Sequence, residues 1–325
     1  MKINHLDLFS GIGGFHLGFE RAGYEITSYF SEIDKHAIAV YKHQFPTSTY
    51  VGSVTNVRGA DLPRINLITF GSPCQDFSLA GKRKGMEGQR SSLVLEAIRL
   101  ISECRPSVFV WENVKGTFSS NDGADFWAII QAFANIGGYR LEWQLLNTSW
   151  FLPQNRERIY LVGYSTEPSG GGVFPIATNN READELQGQH LSANTILQRY
   201  TACANGTYIG ERELASQVKQ IGNKLDSNGG TQPYQQDRVY DADGILPALN
   251  QGKSDLIIKE QYRIRRLTPI ECERLQGFPD QHTAYGNYDG EVKPMSNSQR
   301  YKQCGNAVTV DVVAAVAKKC IPLFN

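Results

Sequence analysis

Four short apolar runs frame this chain. Residues 3–9, 26–30, 65–70 and 107–111 are dense in aliphatic and aromatic side chains and read as buried strands. Amphipathic stretches follow two of them. Phe15, Leu17, Phe19 and Ala22 come after the first, and residues 91–101 after the third, both at helical spacing. Strand alternating with helix predicts an α/β fold around a mostly parallel sheet. In such sheets ligands bind just outside the carboxyl ends of the strands. Each run here stops at residues that carry chemistry, so function is expected at the strand ends. Residues 139–150 and 152–163 supply two further strands, the second entered through a turn.

The first run ends in Ser10-Gly11-Ile12-Gly13-Gly14-Phe15. Glycines there let a ligand approach the backbone, and the next helix offers unpaired N–H groups. A nicotinamide cofactor is the usual occupant of a glycine turn, but Gly11, Gly13 and Gly14 lie too close together for G-x-G-x-x-G. The second run ends in Ser31-Glu32-Ile33-Asp34. An acid about twenty residues past the glycines suits both ribose hydroxyls, which singles out Glu32. The third ends in Gly71-Ser72-Pro73-Cys74-Gln75-Asp76-Phe77-Ser78, which sets a thiol where strand becomes loop. An isolated cysteine is usually a small hydrophobe, yet Pro73 fixes the backbone just before this one. The fourth ends in Glu112-Asn113-Val114. A buried carboxylate needs a partner, and one facing the Cys74 loop can share a proton with a ring nitrogen. Arg156 and Arg158, at strand spacing, are expected on one face. Their guanidinium forks suit phosphate and carbonyl oxygens.

Five motifs occur in order: Asp7-Leu8-Phe9-x-Gly11-x-Gly13-Gly14, Pro73-Cys74-Gln75-x-Phe77-Ser78-x-x-Gly81, Glu112-Asn113-Val114, Gln154-x-Arg156-x-Arg158 and Gly305-Asn306-Ala307-Val308. Together they closely resemble the blocks of the cytosine-5 DNA methyltransferases. The resemblance runs from Asp7 to Val316. It implies a Rossmann-like, S-adenosylmethionine-dependent methyltransferase domain with a mostly parallel sheet, plus a smaller irregular target-recognition domain. It implies S-adenosylmethionine held by Asp7, Phe9, Gly11, Gly13, Gly14, Glu32, Ile33, Ser53, Val54, Pro73, Asn306 and Ala307, with Ile33 stacked on adenine. Cys74 is then the nucleophile and Glu112 the group at ring nitrogen 3. Arg158 meets the base carbonyl, and Arg156 a phosphate or a neighbouring site group. Gln75, Ser78, Lys82, Arg83, Lys84 and Arg238 are expected on DNA. Ser53 departs from the family, which usually has an Asp here for the adenine amino group, although a hydroxyl can still accept that bond. Ala248 departs too, where a Thr is common.

By the same resemblance, residues 1–175 form the catalytic and cofactor-binding domain, 176–268 the target-recognition domain, 269–300 a hinge, and 301–325 a C-terminal helix returning to the first domain. Composition supports a change near residue 165, beyond which Gly, Asn, Gln and Ser abound. Thr268, Pro269 and Glu271 read as N-cap, first helical residue and capping box, with Gly277 past the helix end. Residues 303–308 are expected to start the last helix, whose apolar face includes Val312, Val313 and Val316.

Among the 325 residues, 33 basic side chains balance 33 acidic ones. A neutral DNA binder must concentrate its basic groups. Lys82-Arg83-Lys84 with Arg90, and Arg263 with Arg265 and Arg266, are such concentrations. Six scattered cysteines without a C-x-x-C pair argue against a zinc site or a disulfide framework, and no metal is expected. Residues 1–5 carry no apolar signal-peptide core, and no run approaches the roughly 18 apolar residues of a membrane span. A monomer in the bacterial cytoplasm or nucleoid is expected, acting on double-stranded DNA, with a cognate restriction endonuclease as functional partner. The alternative is a tRNA cytosine-5 methyltransferase of the same architecture; those usually carry Cys-Phe-Thr, which this chain lacks. A non-catalytic DNA-binding relative would be expected to have lost Cys74 or Glu112, and both are present.

Overall fold

Side chains along a strand alternate between faces, and in this protein both faces of the main sheet are covered. The computed structural model describes residues 1–71, 92–118, 123–165, 172–176, 220–223, 238–241, 246–247, 257–260 and 263–324. Its central sheet contains β1 (Lys2–Leu8), β2 (Glu25–Ser31), β3 (Thr49–Gly52), β4 (Leu67–Gly71), β5 (Val108–Val114), β6 (Arg140–Asn147) and, after a short β7 (Gln154–Asn155), β8 (Glu157–Tyr164). The order is β3-β2-β1-β4-β5-β8-β6. Strand β8 alone runs against the rest, pairing antiparallel with both β5 and β6. Strand order reverses between β1 and β4, the switch point where α/β sheets open a crevice.

The apolar runs become strands because most of their residues are buried. In β5, Val108 and Val110 face one core, and Phe109 and Trp111 the other. The first core takes α1 (Gly14–Arg21) and a C-terminal helix; the second takes α3 (Ser92–Cys104) and α4 (Ala124–Ala134). Helix α2 (Lys35–Gln44) starts at Asp34, whose carboxylate accepts from the His36 and Ala37 N–H groups.

Strands β9 (Gln220–Asn223), β10 (Arg238–Asp241), β12 (Ile257–Glu260) and β13 (Arg263–Arg266) form a separate sheet of order β13-β12-β10-β9. The intervening β11 (Leu246–Pro247) pairs in parallel with β7. These strands lie where the target-recognition stretch is expected. The stretch expected as a hinge carries α5 (Pro269–Leu275) and the hairpin β14 (Tyr285–Tyr288) and β15 (Glu291–Pro294). Its capping box is formed as the sequence predicts, and Gly277 follows the helix at φ 78°. The hairpin is fastened to α2 by Lys42 to Asp289 at 2.6 Å and by Tyr288 to His36 at 2.7 Å. Glu273, fully buried, accepts from the Thr283 and Gln281 N–H groups and from Arg300.

One expectation is corrected. Residues 303–308 do not start the last helix. Helix α6 (Asn297–Asn306), capped by Ser296, ends there, and Ala307 is extended at φ −68°, ψ 152°. The last helix, α7 (Val310–Cys320), begins after Thr309. The Gly-Asn pair closes one helix and opens a turn to the next. Among the described residues, no helix is long and apolar enough to cross a membrane.

Helix α7 lies against α1, with Val312, Val313 and Val316 buried. Contact is closest at Gly18, where a Cβ would stand 2.4 Å from Val313 Cγ1. Gly18→Ala would gain about 1 kcal/mol of helix propensity, but overpacking costs about 1–3 kcal/mol. The expected outcome is a lower urea midpoint for Gly18→Ala. With Val313→Ala in the background, the loss from Gly18→Ala should shrink.

Candidate active site

At the carboxyl ends of β1, β2, β4 and β5, and the start of β8, the described residues line a cleft of about 400 Å³. Its floor begins with the glycine turn. Gly13 caps α1 at φ 86°, and a Cβ there would sit 2.3 Å from the Phe45 ring. Phe9, just before the turn, also holds a positive φ of 52°, a strained setting for an aromatic residue. Phe9, Gly11 and Gly14 line the cleft; Gly13 does not, and its role is to shape the turn and receive Phe45.

Glu32 joins this turn to the end of β2. Its Oε2 accepts from the Gly11 N–H at 2.9 Å, and its Oε1 from the Ile33 and Asp34 N–H groups at 2.7 and 3.0 Å. An ionised carboxylate has about four acceptor positions, so it can still take a further donor. Beside it, Ile33 is 78% exposed, an apolar side chain left in water at the cleft. Ser53 and Val54 line the same side, and the Ser53 hydroxyl meets that of Thr55 at 3.0 Å.

Asp7 is placed differently from Phe9 and Gly11. It is fully buried and absent from the cleft lining. On β1 it shares a face with His5, and its carboxyl accepts from Thr69 Oγ1 at 2.9 Å and Tyr41 Oη at 3.3 Å. Burial pushes its pKa well above the ordinary carboxylate range, against the pull of those two hydroxyls. Its hydrogen bonds are used beneath the turn, in packing β1 against β4 and α2.

At the opposite end, Glu112 and Arg158 meet. Glu112 Oε1 is 3.1 Å from Arg158 Nε, an ion pair without hydrogen-bond alignment. Both side chains are buried and both line the cleft. Arg158 is thus the partner a buried Glu112 needs. The carboxylate also lies over Gly71, where a Cβ would approach Glu112 Oε2 to 3.2 Å. Arg156 reaches the cleft as well, but from the residue before β8. Its guanidinium donates to the carbonyls of Ala307 at 2.9 Å and Gly305 at 3.4 Å. Asn306, between them, is exposed at the cleft; Ala307 is buried beside it. The third wall is therefore the turn between α6 and α7.

Pro73, Cys74, Gln75, Ser78, Lys82, Arg83 and Lys84 lie outside the described residues, and of Arg238 only the backbone, in β10, is described. Among the cleft residues not anticipated as site residues are Ser10, Asp34, Lys302 and Gln303. Each stands within or one or two places from a motif already singled out, which is the signal that could have found them. Among the described residues, Ser10 Oγ and both polar atoms of the Gln303 amide are buried with no hydrogen-bond partner. Leaving such groups unmet costs about 1–3 kcal/mol each, so the cleft is shaped for a ligand with hydrogen-bonding edges.

Residues 3–322 match the family model described as C-5 cytosine-specific DNA methylase. The chain is similar to Type II methyltransferase M1.ScrFI of Lactococcus lactis subsp. cremoris, 32% identical over all of this chain and 79% of that protein. It is similar to Type II methyltransferase M.Bsp6I of Bacillus sp. (strain RFL6), 31% identical over 96% of each. The solved structure of S. pombe Dnmt2 methyltransferase shares the fold, with a TM-score of 0.67 at 18% identity over 99% of both chains.

His282, 4% exposed, braces the glycine turn: its Nε2 meets the Ile12 carbonyl at 2.9 Å. Burial pulls its pKa down from 6.5 to about 4. Between those values the unfolded chain takes up a proton that the folded one refuses. Stability is therefore lost as pH falls through this window, by roughly 3 kcal/mol at most. In His282→Gln the urea midpoint is expected to fall less steeply from pH 6.5 to pH 4 than in the parent chain.

Proposed function

The chain belongs to the C-5 cytosine-specific DNA methylase family, and from that premise we propose that it methylates carbon 5 of a flipped-out cytosine in a short duplex sequence, through a covalent Cys74 adduct. Membership makes it a DNA cytosine-5 methyltransferase of restriction–modification type that uses S-adenosylmethionine. The biological role we assign is protection of host DNA from a cognate restriction enzyme. The observation that carries the chemical reading is the buried Glu112–Arg158 pair in the cleft.

The cleft fits this cofactor. Ser10 and Gln303 offer unmet polar atoms, Glu32 a charged acceptor and Ile33 a bare apolar face. Glu32 would hold the ribose and Ile33 the adenine, with Ser53 and Val54 at the ring edge and Phe9, Gly11, Gly14, Asn306 and Ala307 around the remainder. When bound, S-adenosylmethionine supplies a sulfonium methyl group, an electrophile that a ring carbon can take.

Carbon 5 of cytosine is a poor nucleophile. Addition of the Cys74 thiolate to carbon 6 pushes electron density to carbon 5, so one hard step becomes two easier ones. A free thiol titrates near about 8.5, so its surroundings must favour the thiolate. Glu112 shares a proton with ring nitrogen 3 and draws the electrons through the ring. Arg158 balances the Glu112 charge and donates to the base carbonyl. Arg156 acts on the wall, holding the turn that carries Asn306. Once carbon 5 is methylated, a water takes its proton and the Cys74 thiolate leaves. A thiol cannot reach carbon 6 in a stacked duplex, so the base must be flipped out, at a cost of a few kcal/mol. Gln75, Ser78, Lys82, Arg83, Lys84 and Arg238 are assigned to DNA. Residues 1–175 carry the chemistry in this reading, 176–268 read the target, 269–300 connect, and 301–325 complete the cofactor cleft.

Bisulfite sequencing of a plasmid from expressing cells tests this reading. Cytosines protected at one short motif are expected, and none with Cys74→Ala. Protection in neither case would redirect the search to RNA, through labelled-methyl transfer to total tRNA. Glu112→Gln is expected to slow single-turnover methyl transfer about 100-fold or more. Replacing Lys82, Arg83 and Lys84 together should weaken DNA binding and flatten its salt dependence; an unchanged slope would remove those three residues from the DNA contact.

A further inference from the structure

One partly exposed contact joins two residues that line the cleft. Lys302 Nζ donates to Asp34 Oδ2 at 2.7 Å. The two residues are 268 positions apart, stand on opposite walls, and both line the cleft. Asp34 is fixed from three sides. Its Oδ1 accepts from the His36 and Ala37 N–H groups at 2.9 and 3.3 Å, and its own N–H donates to Glu32 at 3.0 Å. Burial raises the Asp34 pKa, but the bonds from Lys302, His36 and Ala37 outweigh it and hold the carboxyl below its ordinary range. Lys302 sits on α6, next to Gln303 and one turn before Asn306.

The pair differs from two buried contacts near the cleft. His282 meets Ile12 in the glycine turn, and Arg156 fastens the turn after α6 to the sheet; both are buried. Lys302 and Asp34 are 46% and 31% exposed, so water can replace either partner as the pair parts. Parting costs little, because exposed ion pairs are weak. Such a contact suits a closure that opens often.

We infer that Asp34 and Lys302 form a latch over the adenosine end of the cleft, which parts for S-adenosylmethionine to enter and for the spent cofactor to leave. They are positioning residues: they hold Ile33 and the α6 turn across from each other and act on the rate of exchange. This inference rests on the cofactor assignment above.

A latch and an ordinary ligand contact differ in kinetics. Removing a ligand contact speeds dissociation alone. Removing a latch lowers the barrier in both directions. Surface plasmon resonance of S-adenosylhomocysteine on the full chain reads both rates. The variants are Lys302→Met, Asp34→Asn and the pair combined, with thermal melts to verify folding; Asn still caps α2. Association and dissociation are both expected to rise roughly two- to five-fold in each single variant. The combined variant should be no faster than either one. Lys302→Arg should stay near the parent, and raised ionic strength should bring the parent toward the variants. Should Lys302→Met fail to fold, Lys302→Gln removes the same charge. Unchanged rates, a rise in dissociation alone, or effects that add in the combined variant would overturn the latch. A parent chain that does not bind S-adenosylhomocysteine would overturn the cofactor assignment, and the latch with it.

Discussion

A buried guanidinium ties the late part of this chain to its central sheet. Arg156 stands just before β8 and donates to the carbonyls of Gly305 and Ala307. A charge out of water is tolerable only when its hydrogen bonds are met. Arg156 thus suits a helix end at this spot, because the last carbonyls of a helix have no partner in their own ladder. Gly305 in the last turn of α6 and the extended Ala307 supply them, and Asn306 is left facing the cleft. Around this bond lies a set of uncharged ones. Gln154 donates to the Leu275 carbonyl, Gln276 to the Cys304 carbonyl, and Thr309 to Gln276. All are buried, so each broken link would leave a polar group stranded.

The opposite wall is held by a negative charge. Glu32 gathers three backbone N–H groups from two loops, so the end of β2 and the glycine turn cannot move apart separately. The two walls therefore have complementary chemistry: a carboxylate gathering donors on one side, a guanidinium gathering acceptors on the other. Between them the sheet contributes Glu112, itself matched to Arg158. The charged groups of the cleft already have hydrogen-bond or ion-pair partners before any ligand comes.

Much of this frame was legible because the central strands are built around short apolar runs. Strand β4 is buried from Leu67 to Phe70, and no other element suits so short a run. The α5 start was legible from Thr268, Pro269 and Glu271, since a capping box is local. What escaped was long-range or masked by polarity. Helix α6 has almost no apolar residue to set a period, and its cap, Ser296, sits in a run of polar residues. The Gly-Asn pair at its end resembles a helix start in sequence and is a helix stop in structure. Asp7 sits in the most recognisable motif of the chain, yet its side chain is consumed by Thr69 and Tyr41. Motif membership marks a place in the fold; only packing decides which atoms face the ligand. The small sheet of β9, β10, β12 and β13 lies in Gly- and Asn-rich sequence, where spacing gives little sign of pairing.

The turn at residues 305–307 has a bearing on when the protein becomes competent. The glycine turn and Glu32 lie near the start of the sequence, and the wall that faces them is reached only 268 positions further on, from Asp34 to Lys302. Strands β1 and β2 can pair across a short connection, whereas α6 and α7 must be brought back over a long loop whose closure entropy is spent before any contact rewards it. The cleft is thereby among the later features of the fold to close.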